Sequence, residues 1–208
     1  SIYFDENHIK LKTFPDSIRL NMTVNEFGTP TMRLIENLDF GLNVLKDSIT
    51  IAMLWDNFDS LNNSGNIFIS SSFTKRSESK VPLIKTEIYD SFIKIQNREW
   101  LISKTPIIID TTNITINRFQ LTYDNQNLLI DGEISEDPSK RLRFTISDVD
   151  VSNFNNYIGG AGYSFSGFLT GNGRVANLYK TPSMRTSLSI GDFHINDEDF
   201  GRFDISGS

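Results

Sequence analysis

The chain of 208 residues is long enough to bury a core, as one large domain or two small ones. Hydrophobic residues make up 38% of it and charged residues 22%, which is the composition of a folded globular protein rather than a disordered one. The net charge of -6 disfavours a nucleic-acid partner, and the absence of cysteine excludes disulfides, thiol catalysis and thiolate metal sites. No apolar run reaches the roughly 18 residues that a membrane-spanning helix needs.

A period of two between apolar and polar residues recurs along the chain, and it predicts β-strands because successive side chains leave a strand on opposite sides. In the first half the pattern covers residues 18–24, 38–44, 49–55 and 67–73. In the second half it covers residues 114–123, 128–134, 141–147, 163–175, 188–195 and 203–205. Turn-forming residues separate these runs at 27–30, 62–66, 124–127, 136–139 and 196–199, and such short connections favour antiparallel neighbours. We therefore predict a long antiparallel meander.

One segment departs from this period and predicts a single short helix. Its apolar residues at positions 151, 154, 157 and 158 recur at helical spacing. Ser152 can serve as the N-cap, and Gly159 and Gly160 can end the helix. Six of the 13 glycines fall between Gly159 and Gly173, and glycine in a strand indicates a bulge, a bend or a close approach of another group.

The sequence contains no sharp domain linker, and it starts at Ser1 without a signal-peptide pattern. We interpret residues 1–208 as a single β-rich segment excised from a longer protein. Residues 74–82, rich in serine and charge, are the best candidate for a soft boundary or mobile loop, with a hairpin loop as the alternative.

An all-β chain of this kind has two architectures open to it. About a dozen strands spaced by ~4.8 Å make a sheet ~60 Å wide, and an open sheet of that width curls or splits. If it curls into a trough, the apolar residues line the inside, where Gly132, Gly167, Gly171 and Gly173 would serve curvature and leave room for a ligand. If it splits into a two-layer β-sandwich, the same residues form a dry core.

The residues that could carry chemistry are few. His8 and His194 have no partner at metal-ligand spacing. Asp148 and Asp150 share one face of a strand, which would suit acid and base work or a calcium ion, but no complete motif surrounds them. The acidic run 197–199 has the character of a hairpin turn. We predict that the protein is not an enzyme and uses no metal or cofactor.

The order of features from about Trp100 onward resembles a known family. It comprises residues 107–110, the apolar positions 114, 116 and 119, the run Leu-Ile-Asp-Gly-Glu-Ile at 129–134, residues 142–151, the motif Phe-Ser-Gly-Phe-Leu-Thr-Gly at 165–171, and a closing hairpin of residues 195–201 with Phe203. Together these resemble the C-terminal repeat region of TamB-type proteins, which belong to the AsmA-like family of large envelope proteins. The resemblance covers about half the chain.

The resemblance implies a periplasmic segment of a protein anchored in the inner membrane, built as a long β-sheet curled into a trough (a β-taco). It implies that an apolar groove conducts phospholipid between the inner and outer membranes. It also implies support of outer-membrane assembly beside a barrel partner in the full-length protein. The expected ligands are phospholipid acyl chains.

The predicted lipid-facing groove is formed by the apolar and glycine positions of the second half. They are Ile114, Ile116, Leu121, Ile130, Gly132, Ile134, Leu142, Phe144, Ile146, Phe165, Gly167, Leu169, Gly171, Val175, Leu188 and Ile190. The exposed edges of such a sheet predict edge-to-edge self-pairing of the segment.

Two other functions stay open at this point. A β-sandwich interaction or adhesion module would gather exposed aromatic residues such as Trp55, Phe58, Trp100 and Tyr163 at one end of the fold. A β-helix domain active on polysaccharides would need parallel strands and a carboxylate cluster on one exposed face. Antiparallel pairing of the strands that contain Leu121 and Ile130 would remove this last hypothesis.

Overall fold

The computed structural model describes residues 3–29, 32–57, 63–77, 79–155 and 162–207. The chain divides into two compact units, unit 1 at residues 1–111 and unit 2 at residues 112–208. Strands dominate both units, and the strand pairs within each unit are antiparallel. The prediction of an all-β, antiparallel fold is therefore confirmed.

Nine strands lie in the described residues of unit 1. They are β1 (Tyr3–Phe14), β2 (Ser17–Thr29), β3 (Met32–Leu45), β4 (Ser48–Asp56), β5 (Ser64–Thr74), β6 (Leu83–Ile88), β7 (Ser91–Ile95), β8 (Arg98–Ile102) and β9 (Thr105–Asp110). The first five pair in chain order, and two-residue turns set the register of the β1–β2 and β3–β4 hairpins. Two predicted turns overlap strands in the structure, because β2 extends to Thr29 and β5 begins at Ser64.

The meander branches at β5. Its residues from Ile69 onward pair with β6, whereas Ser64, Gly65 and Asn66 pair with β7. Between the two ladders, the Phe68 amide donates to Ser91 Oγ at 3.3 Å and the Phe68 carbonyl accepts from the Tyr89 amide at 3.0 Å. The branch point therefore leaves no backbone group of Phe68 without a partner, as a half-buried strand requires.

Residues 75–82 connect β5 to β6 inside unit 1. Arg76 ties this segment to the end of β9, since its guanidinium lies 2.8 Å from Asp110 Oδ1 and 2.9 Å from Oδ2. The hydrogen bond from Arg76 lowers the pKa of Asp110. The connection is thus held near its start by an ion pair in which two guanidinium nitrogens contact the two carboxylate oxygens.

The core of unit 1 centres on Trp55, Val24 and Leu38, all of which are buried. Trp55 lies directly opposite Gly65 on the neighbouring strand, and its indole covers the space where a Cβ of Gly65 would stand. Because Gly65 has no side chain, the large ring of Trp55 can lie flat on the β-sheet.

In unit 2 the structure describes six strands over residues 113–155 and 162–207, and they pair in strict chain order. They are β10 (Asn113–Tyr123), β11 (Gln126–Ile134), β12 (Arg141–Asp150), β13 (Phe165–Ala176), β14 (Ser183–Ile195) and β15 (Glu198–Gly207). All five pairings are antiparallel, a meander that is compatible with a curled sheet.

The segment of unit 2 that predicts a helix begins as a helix in the structure. A 3-10 helix, η1, spans Val151–Phe154, and its N-cap is Asp150 rather than Ser152. The Asp150 carboxylate accepts from the Ser152 amide at 2.9 Å, so a carboxylate takes the capping role that we assigned to a hydroxyl. Positions 157 to 160, which completed the prediction, lie outside the described residues.

Candidate binding surface

One face of the unit 2 sheet carries apolar side chains in rows that cross the strands. One row joins Ile116, Gly132, Leu142, Val175 and Met184, and the next joins Phe119, Ile130, Phe144 and Gly173. Further rows join Leu121, Leu128, Ile146, Gly171, Leu188 and Ile205, and then Val149, Leu169, Ile190 and Phe203. We call this set of rows the apolar face. Five spacings between six strands make it roughly 24 Å wide.

The 16 residues of the predicted groove all lie in β10 to β14. Ile114 pairs with Ile134, and Phe165 pairs with Ile195, so these residues extend the apolar face along the strands. Gly167 lies between Phe165 and Leu169 on the same parity of β13. The predicted residues missed several members of the face: Phe119, Leu128, Val149, Met184, Phe203 and Ile205.

Three β-bulges keep the apolar residues on one face. In each, two apolar residues stand three positions apart, a spacing that would place them on opposite sides of a regular strand. The bulges lie at Arg118, Asp148 and Asp192, whose φ angles are 55°, 50° and 49°. At each bulge two residues stand opposite one residue of the partner strand. The extra residue returns the next apolar side chain to the same face of the sheet.

Polar side chains satisfy the backbone at two of these bulges. The Arg118 amide donates to Asp131 Oδ1 at 3.3 Å. The Asp148 amide donates to Thr170 Oγ1 at 3.0 Å, and the Thr170 hydroxyl donates to Asp148 Oδ1 at 3.1 Å. Asp148 and Asp150 therefore hold a bulge and a helix cap in place, which explains their position without catalysis.

The glycines of the apolar face permit close approach between strands. Gly132 and Gly171 have φ angles of 120° and 153°, and a Cβ at either would collide with a backbone oxygen of the neighbouring strand. A Cβ at Gly173 would collide with the Phe144 ring, which lies opposite it. The space beside Gly173 is therefore filled by an aromatic ring, whereas we expected room for a ligand there.

One end of the apolar face is closed by buried amides. Gln126 Oε1 accepts from the Asp150 amide at 2.9 Å and from Asn153 Nδ2 at 3.0 Å, and both Gln126 and Asn153 are buried. Asn155 then pairs with the backbone of Phe165, donating to its carbonyl at 2.9 Å and accepting from its amide at 2.8 Å. The end beside η1 is thus polar and well satisfied.

The rest of the apolar face is only partly covered. Among the described residues of unit 2, Val149 is the one hydrophobic side chain that is buried. Leu121, Ile130, Phe144, Leu169 and Leu188 are half-buried. At the β15 edge, Phe203 is 48% exposed and Ile205 is 42% exposed. A sealed two-layer core would bury the centre of these rows, so the face keeps apolar surface accessible.

An aromatic cluster marks the region around β13, β14 and β15. The Phe193 ring stands 6.5 Å from Phe165 and 5.7 Å from Phe203 between ring centroids, with the first pair nearly parallel. Phe200 approaches the same ring at 6.2 Å. Sequence parity alone does not find this cluster, because the bulge at Asp192 brings Phe193 onto the face.

The candidate chemical residues are not brought together. His194 Nδ1 lies 2.8 Å from the Asp192 carbonyl, and Nε2 lies 3.8 Å from Asp199. His8 lies in β1 and is exposed. Over the described ranges of the chain, no group of three or more acidic or histidine side chains could hold a metal ion.

Neither alternative function gains support from these positions. Trp55 and Trp100 are buried at 7% and 3% exposure, so they cannot join an exposed aromatic patch with Tyr163; Phe58 lies outside the described residues. Leu121 pairs with Leu128 and Phe119 with Ile130 in antiparallel fashion, which excludes a β-helix there.

No helix in the described part of the chain is both long and apolar enough to cross a membrane. Comparisons with protein-family models, with curated proteins and with solved structures give no match to this chain. The resemblance to the AsmA-like family therefore stays a prediction that depends on the residues quoted above.

Proposed function

We propose that the apolar face of unit 2 binds the acyl chains of phospholipids, as part of a non-enzymatic conduit in the periplasm. The observation that carries the proposal is the set of continuous apolar rows across six strands, half-buried rather than sealed. A face of this kind binds hydrocarbon because it removes the hydrocarbon from water, and each buried methylene group stabilises the complex by about 0.8 kcal/mol.

The register supports this proposal more than composition does. Each of the three bulges holds a non-glycine residue at positive φ, which destabilises the backbone. A sheet that only had to pack well would not need these bulges. Their shared effect is to keep Ile116 with Phe119, Ile146 with Val149 and Ile190 with Phe193 on one side. A fold that needed only a stable sheet could interrupt these rows without loss.

Phospholipid transfer between the inner and outer membranes and support of outer-membrane assembly beside a barrel partner belong to the same proposal. They rest on the resemblance to the AsmA-like family, as does the anchoring of a longer parent protein in the inner membrane. The adhesion module is the weaker candidate, because both tryptophans named for its aromatic patch are buried.

The test compares two glutamate substitutions on adjacent residues of β14. Leu188→Glu places a carboxylate in the middle of the apolar face, whereas Ser187→Glu places the same charge on the exposed opposite side. We expect phospholipid to copurify with the wild type and with Ser187→Glu, and to fall at least about tenfold in Leu188→Glu, because a carboxylate is costly to bury against hydrocarbon. Lipid extraction and mass spectrometry of each purified protein measure this.

Far-UV circular dichroism checks that both variants fold, and Leu188→Gln, which carries no charge, replaces Leu188→Glu if that variant does not. Absence of phospholipid from the wild type above the level of an unrelated protein purified in parallel would refute the proposal. Equal retention by the Leu188 and Ser187 variants would move the binding site away from this face.

We further propose that the outer edges of the strands pair with a second copy of the chain. Within the described residues β15 pairs only with β14, and its side chains are exposed along its whole length. An unpaired edge with exposed apolar side chains is a template for another strand. Light scattering should give a mass that rises from monomer towards dimer with concentration, and a monomer at every concentration would argue against edge pairing.

A further inference from the structure

The face of unit 2 opposite the apolar rows carries a row of arginines. Arg143 in β12 pairs directly with Arg174 in β13, which pairs directly with Arg185 in β14. Directly opposed residues of antiparallel strands have Cβ atoms only about 5 Å apart. In its strand, each arginine is next to residues of the apolar rows, and neighbouring side chains of a strand point to opposite sides. The three arginines therefore share the polar side of the sheet. We call these residues the arginine row.

This arrangement opposes the stability of the sheet. Like charges placed directly opposite each other on neighbouring strands are destabilising. The chain as a whole is acidic, with 26 acidic residues against 20 basic ones, so three adjacent arginines are not a consequence of composition. A local excess of positive charge in an acidic protein indicates a role for that charge.

Among the residues with a described register, one acidic side chain, at one end, lies in line with the row. Asp131 pairs with Arg143 and accepts from its guanidinium at 2.9 Å, and this hydrogen bond lowers the pKa of Asp131. Among the residues that the structure describes, no carboxylate forms an ion pair with Arg174 or Arg185. Two guanidinium groups therefore keep their donors available.

The surface at these two arginines is concave. Arg174 and Arg185 both line a depression of about 220 Å³, which Arg141, Pro138 and Met184 also line. They also line a neighbouring depression of about 530 Å³, next to Arg143. The available donors thus face space large enough for a small anion.

We propose that the arginine row binds a phosphate-bearing anion. Each guanidinium presents donors in a planar fork that matches two oxygens of a phosphate group, and two adjacent forks can hold the two groups of a pyrophosphate. The phosphate can belong to a soluble anion or to a lipid headgroup, since the recognised chemistry is the same. The three arginines stand on the side of the sheet opposite the apolar rows, although the two depressions also touch Met184, Phe144 and Gly173 of those rows. The proposal does not rest on lipid binding at the apolar face.

The test uses the double variant Arg174→Gln/Arg185→Gln and a control that removes the same charge elsewhere in unit 2. Lys180→Gln/Arg202→Gln is that control, because Lys180 lies in an exposed turn and Arg202 already pairs with Asp204 at 2.9 Å. Isothermal titration with sodium pyrophosphate measures the free anion. Cosedimentation with phosphatidylcholine vesicles, with and without phosphatidic acid, measures the headgroup.

We expect the wild type and the control to bind at least one of these probes with affinities that agree within about twofold, and the arginine-row variant to bind at least about tenfold more weakly. The probe that binds identifies the source of the phosphate. Absence of binding by the wild type to both probes would overturn the proposal, and so would an equal loss in the control, which would show a response to net charge alone.

Thermal unfolding keeps the test decisive if a variant is less stable. Pyrophosphate should raise the unfolding midpoint of the wild type and the control but not that of the arginine-row variant, because only a ligand that binds the folded state stabilises it. A midpoint shift of the same size in all three proteins would count against the arginine row as the site.

Discussion

Replacing Gly171 with alanine is expected to destabilise unit 2 by about 3 kcal/mol or more. Gly171 has a φ of 153°, which side-chain-bearing residues rarely adopt. A Cβ there would collide with the Ser187 carbonyl oxygen and with Leu188 Cα, both of them backbone atoms of β14. Backbone cannot move aside as a flexible side chain can, so the two strands would have to separate.

Gly191 provides the matched control for this substitution. It lies in β14, where an added Cβ would meet nothing within 4.0 Å. Gly191→Ala should change stability by less than about 1 kcal/mol, because alanine reduces the entropy of the unfolded chain and meets no obstacle. Urea unfolding followed by circular dichroism compares the two variants. Equal midpoints for both would show that strand approach at Gly171 is not tight.

The second large effect is expected in unit 1, where Trp55→Ala should cost about 3–5 kcal/mol. The Trp55 side chain is buried, contributes to the cluster with Val24 and Leu38, and covers Gly65. Gly65 has no side chain that could occupy the space left by the indole. The resulting cavity would therefore persist between β4 and β5.

Leu54→Ala is the control, because Leu54 precedes Trp55 on the other side of β4 and is 52% exposed. It should change stability by no more than about 0.5 kcal/mol. Trp100 is the second of the two tryptophans and is also buried in unit 1, so its fluorescence reports unfolding in both variants. A loss below about 1 kcal/mol for Trp55→Ala would mean that the indole packs loosely.

The sequence predicts much of unit 2 because its strands follow a local rule. Alternation identifies the apolar residues of β12 and β13, such as Phe144 and Leu169, and their faces are as predicted. The rule fails at the bulges, where Phe119 and Val149 stand three positions beyond the preceding apolar residue. Which face they occupy depends on pairing with the next strand, and this register is not local information.

Unit 1 shows a different limit. Residues 83–102 form three strands of five or six residues, too short for a period of two to stand out. The branch at β5 is a choice between two partners for one strand, and nothing in residues 64–74 alone specifies it. The pairing becomes evident only where Ser91 and Tyr89 satisfy the backbone of Phe68.

The residues of the two candidate sites also differ in whether the local sequence reveals them. Side-chain alternation selects the 16 residues of the predicted groove, and all of them lie in strands β10 to β14; that they face lipid stays a prediction. The arginine row was not found, since Arg143, Arg174 and Arg185 are far apart in sequence and meet only through register. The N-cap was misassigned because Asp150 and Ser152 are both good capping residues, and only the extended φ and ψ of Asp150 distinguish them.

The three bulges also bear on how this chain can change length over evolution. Each bulge holds one residue more than its partner strand. Deleting Asp148, for example, would leave Ile146 and Val149 two positions apart, the spacing of an unbroken ladder with both side chains on their present side. A deletion inside a regular stretch of β12 would instead exchange inside for outside along the remainder of that strand. The bulges are thus the places where the loss of a single codon leaves the apolar face intact.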